Sequence, residues 1–167
     1  MLPIALMLAV APPAAEKDRA AVTADLLASL EAADKRPSHR SVAKRAAALR
    51  TLDRLGARPL DKADTLAAAD DKPFRGRVLG PAWQRGWLDG GAEMKIEQQF
   101  LAGQAASIAV AGAPAAPLTL TVAEPGERPV CRDAARACRW MPLYTQRYAI
   151  TLRNAGAARV RYYLVLD

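Results

Sequence analysis

The chain is poor in the residues that do most chemistry. Histidine occurs once, as His39, and cysteine twice, as Cys131 and Cys138, while aromatic residues make up only 5% of 167 positions. A single imidazole leaves Ser-His or Cys-His nucleophilic catalysis without an obvious base. A structural zinc site needs four ligands, which one histidine and two cysteines at this spacing cannot supply. His39 reads as a surface residue at a helix start rather than a base or ligand. No glycine cluster has the strand-to-helix context of a phosphate-binding loop.

What is present is alanine, arginine and short alternating apolar runs. The formal net charge is +7. Residues 16–71 hold 11 basic and 10 acidic side chains, whereas residues 72–167 hold 13 and 7, so the second part carries the excess. That balance favours weak association with anionic membrane surfaces or acidic polymers. Most of these arginines alternate with apolar residues, the pattern of a solvated sheet face.

Residues 1–15 are expected to be a signal peptide. The apolar run Leu2 to Val10 is too short to span a bilayer, and Ala9-Val10-Ala11 offers small residues for cleavage. Export argues against a nucleic-acid partner and fits a disulfide between Cys131 and Cys138 in a periplasmic or secreted protein. A redox pair is disfavoured, because the spacing is not that of the redox motif.

Residues 16–71 are expected to form a helical hairpin and linker. Val22, Leu26 and Leu30 recur at four-residue intervals with Leu27 beside them, and Lys35-Arg-Pro37 stops that helix. A second helix is expected from Ser38 through Val42, Ala46, Leu49, Leu52 and Leu55 to a glycine cap at Gly56. Arg36, Arg40 and Lys44 share one face of it, read as solvated rather than membrane-binding for want of a bulky aromatic. Asp61, Asp64, Asp70 and Asp71 lack the alternating spacing of a calcium loop.

Residues 72–167 are expected to form an antiparallel β-sandwich, jelly-roll-like, which makes the fold class α+β. Period-two runs occur around Met94–Phe100, Ile108–Val110, Leu118–Val122, Tyr148–Leu152 and Tyr162–Leu166, separated by turn residues. The last two runs, broken at Asn154-Ala-Gly156, read as a β-hairpin. Glu93 and Glu97 fall on a solvent face beside Lys95, a poor setting for paired-carboxylate hydrolysis. Trp83 and Trp87 read either as cover for the core edge or as stacking platforms for a sugar.

Residues from about 92 to 167 resemble the bacterial pre-peptidase C-terminal domain. The resemblance is carried by Phe100-Leu-Ala-Gly-Gln104, Leu118-Thr-Leu-Thr-Val122, Cys138-Arg-Trp-Met-Pro142, Tyr148-Ala-Ile-Thr-Leu-Arg-Asn154 and Tyr162-Tyr-Leu164. It implies a non-catalytic β-sandwich of the kind appended to secreted hydrolases. The threonines of Leu118–Val122 stand where the family carries acidic residues, so no cation site follows.

The expected function is a non-catalytic exported module, with no cofactor and no metal, that binds or supports an envelope glycan, acidic polymer or protein partner. Its candidate ligand-binding surface comprises Trp83, Trp87, Arg147, Arg153 and Arg161. The alternative is an assembly protein docking through its helical hairpin.

Overall fold

A computed structural model describes residues 18–34, 39–60, 81–113, 116–134 and 136–167. The expected signal peptide, the aspartates from Asp61 to Asp71, and the start of the Gly-rich stretch at Phe74 lie outside the described residues, as do the side chains of Arg36 and His39.

Two helices come first, α1 (Arg19–Asp34) and α2 (His39–Leu55). Asp18 begins α1 as an N-cap, its Oδ1 accepting the backbone N–H groups of Ala20 at 3.1 Å and Ala21 at 3.3 Å. Gly56 ends α2 at φ 70°, the left-handed conformation that glycine adopts at no steric cost. The buried face of α1 is Ala20, Thr23, Ala24, Leu27 and Leu30, with Val22 and Leu26 only half-buried at its flanks. The expected stripe is therefore rotated. Small alanines at the contact let the helix lie close to the sheet beneath it, and the larger residues fill the sides.

The strands are β1 (Arg58–Pro59), β2 (Ala82–Leu88), β3 (Glu93–Phe100), β4 (Ala106–Ala113), β5 (Leu118–Ala123), β6 (Pro129–Ala134), β7 (Ala137–Trp140), β8 (Gln146–Asn154) and β9 (Val160–Leu166). They form one sheet in the order β1-β2-β9-β4-β7 and another in the order β3-β8-β5-β6. The fold class is α+β, as expected. One core fills the space between the sheets, built from alternate residues such as Ile108, Leu120, Val122, Tyr148, Ile150, Leu152 and Leu164. A second lies on the outer face of the five-stranded sheet, where Ala109, Tyr163, Val165 and Trp83 meet Leu27, Leu30 and Leu52 of the helices. Buried on both faces, β9 is apolar at nearly every position, and a two-sided burial demands that composition.

The run from Tyr148 and the run from Tyr162 do not form the expected hairpin. β8 pairs with β3 and β5, and β9 pairs with β2 and β4 in the other sheet. The chain between them arches from one layer to the other, and Asn154 is the physical reason. Fully buried, its amide donates to the carbonyls of Ala158 at 2.8 Å, Asp89 at 3.1 Å and Leu88 at 3.2 Å, while its Oδ1 accepts from Gly156 N at 3.0 Å. One side chain thus ties together carbonyls of two neighbouring arches. The neighbouring arch passes so close that a Cβ on Gly90 would lie 2.1 Å from the Ala157 carbonyl oxygen.

Cys131 on β6 and Cys138 on β7 are disulfide-bonded, with Cα atoms 5.9 Å apart. Because β6 and β7 belong to different sheets, the bridge joins the two layers at one side of the sandwich.

Candidate functional site

The five residues expected to make one ligand surface are dispersed. Trp83 is fully buried between the five-stranded sheet and the helices and can meet no ligand, which corrects the surface expectation for it. The low aromatic content supplies the reason: the large indole is needed to fill the helix-to-sheet layer. Trp87 is 46% exposed and lies opposite Arg161 on β9. The guanidinium of Arg161 stands 4.4 Å from the Trp87 ring centroid and that of Arg159 5.3 Å, so two cations already flank this ring. Arg159 is tied in turn to Asp89 at 3.2 Å. Arg153 lies on the other sheet, between Glu93 of β3 and Thr119 of β5. Arg147, at the opposite end of β8, is 3.8 Å from Glu97.

Sequence reasoning missed the most conspicuous surface. The loop from β3 to β4 and the loop from β7 to β8 meet at one end of the sandwich. There Gly103 N donates to the Pro142 carbonyl at 2.8 Å, and Ala102 N to Thr145 Oγ1 at 3.0 Å. These bonds hold the loops while their apolar side chains face outward: Leu143 is 76% exposed, Tyr144 71%, Met141 57% and Leu101 37%. Four large apolar side chains grouped at one loop end differ from the scattered exposure of an ordinary surface. The only signal in the sequence was the unbroken run Trp140-Met-Pro-Leu-Tyr144, which fits neither helical nor strand period.

Beneath the tip the support is rigid. Phe100, Trp140 and Tyr148 form an aromatic triangle with centroid separations of 4.8, 5.3 and 5.8 Å. Trp140 follows Cys138 by two positions, so the disulfide anchors the strand that leads into the tip. Arg147 stands at the rim, one strand position beyond Gln146.

Beside the tip opens a cleft of about 500 Å³ whose wall includes Asp18, Arg19, Arg139, Met141 and Asp167. Two carboxylates in one cleft invite an acid-base reading, and their partners argue against it. Asp18 Oδ1 takes the two cap N–H groups and the Ser107 hydroxyl at 3.0 Å, and its Oδ2 takes Arg139 Nε at 2.8 Å. Both carboxylate oxygens are thus engaged by the protein. Asp167 pairs with Arg19 at 3.2 Å; burial pushes its carboxyl above the ordinary value, with Arg19 opposing and Asp18 adding to the rise. The set fastens α1 to the sheet edge. Among the described residues no group of three or more His, Cys, Asp or Glu is placed to hold a metal ion.

A helix-covered, disulfide-bridged β-sandwich with an apolar loop tip is the class of protein this geometry defines. No protein family matches the chain, and no curated protein matches it either. Among solved structures the chain is similar to Aeromonas hydrophila PliG, a periplasmic lysozyme inhibitor of g-type lysozyme, at 19% identity over 52% of this chain and 84% of that one, with a TM-score of 0.44. Salmonella Typhimurium PliG, an inhibitor of the same kind, aligns at 11% identity over 52% and 87%, TM-score 0.36. A de novo designed double-stranded β-helix aligns at 12% identity over 51% and 97%, TM-score 0.32. These are likenesses of outline, and the functional reading rests on the geometry of the chain itself.

Proposed function

We propose that this is an exported, non-catalytic module that binds a protein partner through the tip formed by Leu101, Met141, Leu143 and Tyr144. The observation that carries the reading is the grouped exposure of those four side chains on loops braced by backbone hydrogen bonds and the aromatic triangle. Tyrosine and methionine are enriched at protein interfaces, and a preorganised tip loses little conformational entropy on binding. Arg147 and the Asp18–Arg139 pair supply a polar rim of mixed charge. A disulfide across the two layers supports a location outside the reducing cytosol, periplasmic or secreted. Kinship with the pre-peptidase C-terminal domain belongs to the same proposal, supported by the quoted residues lying in or at the ends of β3, β5, β7, β8 and β9 of one sandwich.

The alternative of docking through the helical hairpin has less support, because the apolar face of α1 is already covered by the five-stranded sheet and α2. A glycan reading would rest on Trp87, whose ring is attended by two arginines.

The test is affinity capture from the extracytoplasmic fraction of the source cells, comparing the wild type with Leu143→Ser/Tyr144→Ser and with Trp87→Ala. A protein retained by the wild type and by Trp87→Ala, but lost by the tip variant, supports the reading. Tyr144→Ala alone is then expected to weaken the purified complex tenfold or more, on the order of a hot-spot truncation. Equal capture by all three, or retention of polysaccharide that depends on Trp87, overturns it.

A further inference from the structure

A β-sheet edge presents unpaired N–H and C=O groups, and soluble proteins protect their edges. Among the described strands, three of the four sheet edges are protected by shortness, proline, a disulfide or broken register. β1 is two residues long and includes Pro59, while β7 is four residues long and disulfide-bonded. β6 begins at Pro129, breaks register twice against β5, and has Asp133 at φ 48°. β3 has none of these devices. It runs eight residues without proline, pairs with β8 in unbroken register from Glu93 to Phe100, and makes no other strand pairing among the described residues.

Its side chains alternate strictly between exposed and half-buried. The exposed face reads Glu93, Lys95, Glu97, Gln99; the inner face reads Met94, Ile96, Gln98, Phe100, with no charge pointing inward. This order is self-complementary. When β3 lies antiparallel to a second β3 with Ile96 facing its own copy, Lys95 stands opposite Glu97 of the partner subunit, and the two-fold axis repeats that pair. Glu93 then faces Gln99 of the partner subunit, so no like charges meet. The inner-face residues Met94, Ile96 and Phe100, half-buried at the edge, would gain cover from the adjoining strand.

We infer that β3 is an interaction surface for a second copy of this chain, joining two four-stranded sheets into one eight-stranded sheet through the Lys95–Glu97 register. The occupant is a copy rather than an unrelated peptide because the charge order matches itself. The tip lies at one end of β3, beyond Phe100, and stays open in such a pair.

Sedimentation equilibrium of the full chain from about 1 to 300 µM tests this, with Lys95→Glu, Glu97→Lys and the double exchange Lys95→Glu/Glu97→Lys. Each single exchange sets like charges opposite one another twice and is expected to weaken dimerisation at least about fivefold, while the double exchange restores it. Both positions are exposed and Glu97 has only a long, exposed contact with Arg147 at 3.8 Å, so thermal unfolding of each variant at a dilution where the wild type is monomeric should stay close to the wild type. Monomer throughout the concentration range, or a dimer indifferent to both single exchanges, overturns the inference.

Discussion

Asp18 and Arg139 are joined by an ion pair at 2.8 Å across 121 positions of sequence, fastening the first turn of α1 to the edge strand that carries the disulfide. The same carboxylate caps the helix and accepts from Ser107, so one residue fixes where the helical layer begins on the sheet. Asp18→Ala should lower stability by about 1–2 kcal/mol, most of it from the lost cap, since the half-exposed Arg139 adds little. Asp18→Asn keeps a capping oxygen and should cost clearly less. Urea unfolding of the two variants separates these contributions; equal losses would mean that the ion pair dominates.

Asn154 should be among the least replaceable positions. Asn154→Ala removes the amide from the carbonyls of Leu88, Asp89 and Ala158 and the acceptor from the Gly156 N–H, a loss on the order of 2–4 kcal/mol. Asn154→Asp is expected to be worse at neutral pH, because a buried carboxylate would face those carbonyls, and to recover in part in acid, where a protonated carboxyl can donate. Chemical unfolding of both variants at two pH values checks the order. Gly90→Ala should disturb the same region from the other side, since the Ala157 carbonyl leaves no room for a methyl group.

Reduction of the Cys131–Cys138 bridge should lower stability by about 2–3 kcal/mol from chain entropy alone. The bond also closes the sandwich beside the tip, so hydrogen exchange should rise first in β6, β7 and residues 141–145. The comparison is thermal unfolding with and without reductant, alongside Cys131→Ser/Cys138→Ser.

Asp167 gives a pH dependence of defined sign. Burial favours its neutral form, so the folded chain binds this proton up to a higher pH than the unfolded chain does. Its contribution is complete below the ordinary carboxyl value and is lost as pH rises through the folded value. The stability of the wild type minus that of Asp167→Asn should therefore fall as pH increases from about 3.5 to 6. A difference that rises over this range would show that Arg19 outweighs burial.

Local features of this fold were largely legible in the sequence. Gly56 marks the end of α2, the period-two runs mark β3, β5, β8 and β9, and the only two cysteines do pair. Sheet membership was not, because alternation says which side chains face inward and nothing about which strand lies alongside. Asn154-Ala-Gly156 looks like a turn in either case; only the carbonyls gathered around Asn154 reveal the arch. The face of α1 was misplaced because Ala20 and Ala24 seem unimportant beside Val22 and Leu26, although close approach favours the smaller pair. The tip escaped notice because Leu143 and Tyr144 belong to no periodic element, and only coordinates show that they point outward.

The strand orders β2-β9-β4-β7 and β3-β8-β5-β6 pair off as β2 with β3, β9 with β8, β4 with β5 and β7 with β6, each couple consecutive along the chain yet split between layers. Among the antiparallel pairings of the described strands, only β5 with β6 joins sequence neighbours. A polypeptide wound in this way gains almost nothing from zipping up locally, since most of its ladders demand distant partners. Assembly should be slow and all-or-none, and a nascent chain released without its final strand β9 would lack the middle of one layer and have no stable halfway form to rest in.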